Sequence, residues 1–207
     1  MSKIDFKKEL KHLYQPSAKK VQVVDVPPMN FLMIDGHGDP NTAQEYQDAV
    51  EALYGVAYKL KFMSKKEEGK DYVVPPLEGL WWAEDMQTFT AQRDKSAWDW
   101  TMMVMQPDWI TLAMVEEAVV QVDQAKGLPA LAKLRFETYH EGLAVQIMHL
   151  GSYDDEGPTI ASMHAFALEN DYALSGKHHE VYLSDPRRVA PEKLKTVLRQ
   201  PIRPASG

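Results

Sequence analysis

The sequence contains no cysteine among its 207 residues. The chain therefore forms no disulfide and has no thiol nucleophile, and only His, Asp and Glu remain as strong metal ligands. Long apolar runs are also missing, because no stretch approaches the ~20 apolar residues of a membrane-spanning helix. The opening residues, MSKIDFKKELKHLY, interleave charged and apolar side chains and lack the continuous apolar core of a signal peptide. The lack of a membrane-spanning stretch and of a signal peptide predicts a soluble cytoplasmic protein with no membrane partner, whereas the lack of cysteine says little about the compartment.

An excess of positive charge is absent as well. The formal net charge is −7, whereas a nucleic-acid-binding protein normally carries a basic patch or a basic pI. Residues 3–20 and 187–203 are locally basic, and we interpret both segments as solvated faces. No nucleic-acid partner is expected.

What the sequence does contain is a series of alternating and helical apolar patterns. Apolar residues at helical spacing predict helices over residues 4–14, from about 42 to 60, over 111–126 and from about Pro158 to Asn170. A C-terminal helix is expected in PEKLKTVLRQ, with Pro191 in its first turn. Alternation predicts strands in VQVVDV, FLMIDGHG, SAWDWTMMVMQ, KLRFETYHEG, LAVQIMHLG and HHEVYLSDP. DYVVPPLEGLWWAED also reads as extended, and its two prolines suit an edge or a bulge.

The second half of these elements repeats the first. A strand ending in a glycine bend, at Gly38 or Gly151, is followed by a helix and by a strand carrying Glu and an aromatic residue. We predict an α+β fold from a duplicated strand–helix–strand–strand module, with helices on one face of an antiparallel sheet and a central ligand groove. The predicted divisions are an N-terminal helix and linker over 1–20 and a domain over 21–207. Its modules cover about 21–110 and about 130–190.

Two glutamates on predicted strands are the candidate catalytic groups. Glu180 and Tyr182 share a face of their strand, and a carboxylate beside a phenol can balance a cation, orient a water or hold a polar group. A solvent-facing Glu beside a packed Tyr is the alternative. Glu78 is the expected counterpart of Glu180 in the first module, and two carboxylates converging on one cleft would raise the pKa of at least one. Alternatively, Glu78 caps a helix or pairs with a lysine.

Tryptophan and tyrosine are the candidate ligand-binding residues. Trp98 and Trp100 share a strand face, Trp82 lies on the face of Glu78, and Tyr54 and Tyr58 are one helical turn apart. A flat aromatic wall stacks on planar ligands and on cations, although such clusters also form ordinary cores.

The histidines and glycines give weaker indications of a functional site. His140, near Glu137 and Tyr139, is a candidate proton-handling group or an idle loop residue. His178 and His179 point to opposite faces of a strand and do not suit one metal ion. GHGDP lacks the spacing of a phosphate loop. We expect no metal and no cofactor.

The strings VPPMNFLMIDGHGDPN, PPLEGLWW and HHEVYLSDPRRVAPEKLKTVLRQP resemble the stand-alone GyrI-like small-molecule-binding proteins over nearly the whole chain. The resemblance implies the two-module fold with a ligand groove on a pseudo-twofold axis, and it matches Glu180 to a pocket carboxylate. Relatives include effector-binding domains of multidrug-responsive regulators, a gyrase-inhibitory protein and hydrolases of cyclopropane-containing DNA-alkylating compounds. No helix-turn-helix segment precedes the domain here, so a regulator role is not supported.

The resemblance implies a mechanism for the hydrolase-like group. Water would attack a cyclopropane fused to a dienone, with Glu180 as the base, Tyr182 as the donor to the developing phenolate, and Trp82, Trp98 and Trp100 holding the planar compound. The expected partner is a planar apolar or cationic small molecule. Two alternatives stay open at this point: sequestration of amphipathic cations, and a gyrase-inhibitor-like protein interaction.

Overall fold

The computed structural model describes residues 3–84 and 94–205. Within these ranges, nine strands form antiparallel pairs in the order β1-β6-β9-β8-β3-β4-β2-β5, and the short β7 also pairs with β9. The strands are β1 (Gln22–Val26), β2 (Met29–His37), β3 (Leu77–Trp82), β4 (Asp99–Gln106), β5 (Arg135–Tyr139), β6 (Gly142–Leu150), β7 (Tyr172–Leu174), β8 (His178–Tyr182) and β9 (Lys195–Pro204).

The helices of the described residues are two single-turn segments and three longer elements. They are α1 (Phe6–Glu9), α2 (Lys11–Tyr14), α3 (Gln44–Met63), α4 (Leu112–Lys126) and α5 (Gly157–Glu169). Thr111 caps α4 through its side chain, and Gly127, at φ 59°, ends it in the left-handed conformation that glycine adopts without strain. Across residues 3–84 and 94–205, no helix has both the length and the apolar character needed to cross a membrane.

The strand order is symmetric about the centre of the sheet. β3 and β8 are neighbours there, β4 and β9 flank them, and β2 and β6 come next. The sequence β2-α3-β3-β4 is thus matched by β6-α5-β8-β9. The outermost strands are exchanged between the halves, because β1 pairs with β6 and β5 pairs with β2. The predicted α+β fold with an antiparallel sheet is confirmed.

The two faces of the sheet are covered differently. On the first, here called the helix face, α3 packs on β2 and β4, and α5 packs on β6 and β9. Ile34 of β2 and Val56 of α3 are buried between α3 and the sheet, and Ile147 of β6 and Met163 of α5 are buried between α5 and the sheet. The second, here called the N-terminal face, is partly covered by the first two helices. There the buried side chains include Leu13, Tyr14, Val181, Val197, Phe31 and Met103.

Two expectations about the chain are wrong. PEKLKTVLRQ is not a helix: Pro191–Lys193 form one 3-10 turn, and β9 follows, beyond the predicted module limit near residue 190. Its residues 196–202 are buried on both sides of the strand, so pairing with β6 and β8 overrides the helical pattern. The prolines at 75 and 76 precede β3, which lies at the centre of the sheet, not at an edge. The predicted ends at residues 1 and 207 lie outside the described residues.

Candidate functional site

The candidate site lies on the helix face, where the central strands of the two modules meet. In the β3–β8 register, Glu180 lies opposite Gly79 and His178 lies opposite Trp81. Residues directly opposite in an antiparallel pair project from the same face, so these side chains gather together. Gly79 leaves the space that the indole of Trp81 fills, because a Cβ at Gly79 would lie only 2.7 Å from Trp81 Nε1.

A hydrogen-bonded chain runs from β3 to β8. Trp81 Nε1 donates to the Tyr182 hydroxyl at 2.9 Å, and that hydroxyl donates to Glu180 Oε2 at 2.6 Å. His178 Nε2 lies 3.1 Å from Glu180 Oε1. The side chain of Glu180 is 14% exposed. Each oxygen of the Glu180 carboxyl group therefore has a side chain within hydrogen-bonding distance.

The pKa values follow from burial and from these contacts. Burial acts to raise the pKa of Glu180, but the hydrogen bond and charge of His178 and the hydrogen bond from Tyr182 outweigh it, so the pKa lies below its usual range. Burial and the charge of Glu180 hold the pKa of Tyr182 well above its usual range. At neutral pH the site therefore pairs an ionised carboxylate with a neutral phenol.

Aromatic rings enclose this pair. Tyr46 of α3 stacks on Trp81 with ring centroids 6.2 Å apart, and Trp98 meets Trp81 edge-on at 5.8 Å. Tyr153, in the turn before α5, meets Tyr182 edge-on at 5.7 Å. Burial and the charges of Glu156 and Glu180 raise the pKa of Tyr153 to about 12, so its phenol also stays neutral. We call this group the aromatic–acid site; it comprises Tyr46, Trp81, Trp98, Tyr153, Glu156, His178, Glu180 and Tyr182.

The expectation that Glu78 and Glu180 converge on one cleft is wrong. Glu78 lies opposite Val181, one register position away from Glu180, so its side chain projects from the N-terminal face. A twofold axis perpendicular to a sheet keeps every residue on its own face, and these two glutamates therefore cannot be counterparts. Instead, Glu78 accepts a 3.1 Å hydrogen bond from the Tyr14 hydroxyl and lies 2.8 Å from His179 Nε2.

Glu78 belongs to a buried ionic network on that face. His179 Nδ1 lies 2.9 Å from Glu141 Oε2, and Arg199 Nη1 donates to the same oxygen at 3.1 Å. The side chains of all four groups are 1% exposed. Arg199 also donates to the Leu13 carbonyl, which ties α2 to the sheet. Two carboxyl groups here face two basic groups, so the network balances its own charge and has a structural role.

Two of the predicted tryptophans lie away from Glu180. Trp82 lies on the N-terminal face, where Lys177 Nζ stands 3.3 Å above its ring. Trp100 shares the helix face with Trp98 as predicted, but it is fully buried in the core under α3 and donates to the Gly38 carbonyl. For Trp100 the core alternative is correct. Trp98 is the predicted tryptophan that reaches the site.

Of the remaining predicted residues, Tyr54 lies beside the site, whereas Tyr58 and His140 lie away from it. The phenol of Tyr54 is hydrogen-bonded to the backbone of Leu77, the residue opposite Tyr182, so Tyr54 lies beside the site. Tyr58 is 50% exposed and lines an open groove of about 450 Å³ between α3 and α4. His140 is exposed in the β5–β6 hairpin, next to Glu141, and does not join the aromatic–acid site.

Several site residues were missed by sequence reasoning. Trp81 was passed over because its neighbour Trp82 shares the face of Glu78, and only the register shows which face carries Glu180. Tyr46 has the helical spacing of the buried residues of α3, and that spacing alone does not distinguish a site residue from a core residue. Tyr153 and Glu156 lie in an irregular loop, SYDDEGP, which has no periodicity to use. Within the described parts of the chain, no group of three His, Asp or Glu side chains is arranged to hold a metal.

Two pseudosymmetric modules that meet at an aromatic cluster around one ionised carboxylate define a small-molecule-binding α+β domain. The chain matches the family model of the GyrI-like small molecule binding domain over residues 19–203. It belongs to this family, and the resemblance inferred from its sequence is confirmed.

Solved structures agree with this assignment. An uncharacterized conserved protein from Listeria innocua is 43% identical, with a TM-score of 0.89 over 97% of this chain and 100% of that chain. A protein described as a hydrolase from Listeria innocua is 41% identical, with a TM-score of 0.85 over 97% and 100%. Another hydrolase from Listeria innocua is 43% identical, with a TM-score of 0.87 over 98% and 100%. No curated protein matches the chain significantly.

Proposed function

We propose that this GyrI-like protein is a hydrolase that adds water to electrophilic, cyclopropane-containing, DNA-alkylating compounds. The observation that carries the proposal is the ionised Glu180, fixed by Tyr182 and His178 inside aromatic walls. Relatives that are more than 40% identical over their whole length are described as hydrolases, which supports the reaction class. We infer the bacterial cytoplasm as the place of action, because the DNA that such compounds alkylate lies there.

The proposed step is a ring opening. The oxygen of water bonds to a cyclopropane carbon, and the adjacent carbon–carbon bond breaks. Its electron pair passes into the conjugated dienone, whose oxygen becomes a phenolate. Glu180 accepts the proton of the attacking water as general base, and the phenolate later takes up that proton, so the product is substrate plus water.

The other side chains have distinct tasks in this proposal. The proton of Tyr182 points at Glu180, so this phenol orients the base. Tyr46 and Tyr153 also present neutral phenols, and either can donate to the developing phenolate, an oxyanion-type role. Trp81 and Trp98 provide flat surfaces that stack on a planar substrate and exclude bulk water.

The test is turnover of a spirocyclopropyl dienone in large molar excess, followed by mass spectrometry. A hydrated product should accumulate far beyond one equivalent per protein. Glu180→Gln should lower the rate by about 100-fold or more, the usual contribution of a general base. Glu169→Gln, on the exposed end of α5, is the matched control and should keep the full rate. Full turnover by a folded Glu180→Gln protein would show that Glu180 is not the general base.

A second candidate function is sequestration of amphipathic cations. It is favoured by one observation: Glu180 carries a negative charge among aromatic rings, which suits both ion pairing and cation–π contact. A sequestering protein binds its ligand at a fixed stoichiometry and releases it unchanged. The same mass-spectrometric assay separates the two functions, because only the hydrolase gives a hydrated product.

A further inference from the structure

The groove between α3 and α4 is a surface cavity that the ring-opening mechanism does not use. Its volume is about 450 Å³, which lies within the range of small-molecule sites. The two helices approach closely beneath it, because a Cβ on Gly55 of α3 would lie 3.4 Å from Val122 Cγ1 of α4. The residues that line the groove belong to α3 and α4, whereas the aromatic–acid site lies at the junction of β3 and β8.

Aromatic side chains of α3 form one wall of this groove. Tyr54, Tyr58 and Phe62 follow one another at intervals of four residues, so they lie along one face of the helix. The ring centroids of Tyr54 and Tyr58 are 6.2 Å apart, and Phe62 is 59% exposed. A flat apolar ligand that covers this wall removes exposed apolar area from water, which favours binding.

The charged side chains that line the groove are positive. They are Lys59 of α3 and Lys126 of α4, and no aspartate or glutamate is among the described residues that line it. Neither lysine is part of an ion pair within residues 3–84 and 94–205. Both ammonium groups are therefore available to a ligand, in a protein whose formal net charge is −7.

The groove and the aromatic–acid site thus have opposite charges. Glu180 is ionised in the aromatic–acid site, which suits neutral or cationic ligands. The two lysines of the groove attract an anion and repel a cation. The combination of an aromatic wall with unpaired ammonium groups is complementary to a flat molecule that carries a negative charge at one end.

We propose that the α3–α4 groove is a second binding site, and that its ligand is a small planar aromatic anion such as an aromatic carboxylate. The ligand ring packs against Tyr58 and Phe62, and the carboxylate pairs with Lys59 and Lys126. This inference does not rest on the proposed function, because neither Glu180 nor the ring-opening step takes part in it.

Titration with 2-naphthoate, followed by calorimetry and by amide NMR, tests this site. One molecule should bind with a Kd of about 0.1–1 mM, as expected for a ligand of this size. The amide signals of Gly55 and Gln121 should shift, whereas that of Gly79 in the aromatic–acid site should not. 2-Naphthylmethanol has the same rings without the charge and should bind about three- to tenfold more weakly.

Substitutions in the groove test the two parts of the recognition separately. Lys59→Gln and Lys126→Gln should each weaken naphthoate binding about two- to fivefold, whereas Lys8→Gln, on the exposed side of α1, should not. Ala125 is exposed and lines the groove, so Ala125→Trp should fold and fill the space, and naphthoate binding should be lost. Ala165→Trp, on the exposed side of α5, is the matched control and should bind naphthoate as the wild type does.

Several results would overturn the proposal. They are naphthoate binding that survives Ala125→Trp, equal affinities for naphthoate and the alcohol, a shift of Gly79 in place of Gly55, and no binding at about tenfold the expected Kd. Gel filtration provides a further check, because a wild-type dimer that Ala125→Trp dissociates would make the groove an interface between copies. The turnover assay decides the proposed function by itself, so the failure of one proposal leaves the other standing.

Discussion

The phenol of Tyr182 donates a 2.6 Å hydrogen bond to the carboxylate of Glu180, the residue two positions before it on β8. Alternate residues of a strand share a face, so this contact is local to β8. The same hydroxyl accepts a hydrogen bond from Trp81 Nε1, which belongs to β3 of the other module. Tyr182 therefore links Glu180, the proposed base, to the junction between the modules.

Tyr182→Phe should weaken the function by acting on Glu180. The substitution removes a hydrogen bond to a charged group, a contribution of about 1.5–3 kcal/mol. The pKa of Glu180 should rise, and the acid limb of the activity or cation-binding profile should move up by about one unit. Tyr58→Phe, on the exposed side of α3, is the control and should leave the profile unchanged. An unshifted profile in Tyr182→Phe contradicts the assignment of the donor.

Gly79→Ala should destabilise the protein and disturb the site together. The new Cβ would lie 2.7 Å from Trp81 Nε1 and 3.2 Å from Met102 Sδ, so the indole has to move. Overpacking of this kind costs about 1–3 kcal/mol of the free energy of unfolding, measured by urea denaturation. Gly157→Ala, where nothing lies within 4 Å of the new Cβ, should cost far less. Equal stabilities of the two variants would show that the space at Gly79 is not required.

The free energy of unfolding should fall on the alkaline side because of His179. Burial lowers the pKa of His179, but Glu141 and Glu78 raise it more, to about 9, from an ordinary value of 6.5. Because the pKa of His179 is raised in the folded state, its protonation contributes fully to the free energy of unfolding below about pH 6.5. This contribution is lost as the pH rises through about 9. Urea denaturation between these pH values should show a decline of a few kcal/mol.

The control for that decline is a histidine outside the network. His179→Gln should be less stable at neutral pH and should lose most of the decline between pH 6.5 and 9. His140→Gln, exposed in the β5–β6 hairpin, should retain the wild-type profile. A decline that is unchanged in His179→Gln would assign the alkaline loss to a different group.

Glu78→Gln should separate stability from function. Removing one charge from a buried ion-paired network typically costs 3–5 kcal/mol, because the remaining groups stay buried with unbalanced charge. Since Glu78 lies on the face opposite Glu180, turnover or cation binding per folded molecule should stay near the wild-type level at low temperature. A loss of function in the folded variant as large as that of Glu180→Gln would contradict this separation of the two faces.

Much of the fold could be predicted because local patterns determine it. The alternation in DWTMMVMQ and HHEVY indicated strands and correctly placed Glu180 beside Tyr182 and Trp98 on the same face as Trp100. The order of elements indicated the duplication. The pattern failed at the C-terminus, where PEKLKTVLRQ has helical spacing but becomes β9 because β6 and β8 are there to pair with it.

What the sequence by itself determined is which residues share a face within each strand or helix that it correctly predicted, since the backbone repeat sets which neighbours share a face. The tertiary structure alone decided relations between elements. The register of β3 against β8 brought Trp81 to Glu180 and sent Glu78 and Trp82 to the opposite face. A shift of one residue in that register would exchange the two sets, and no local pattern encodes it.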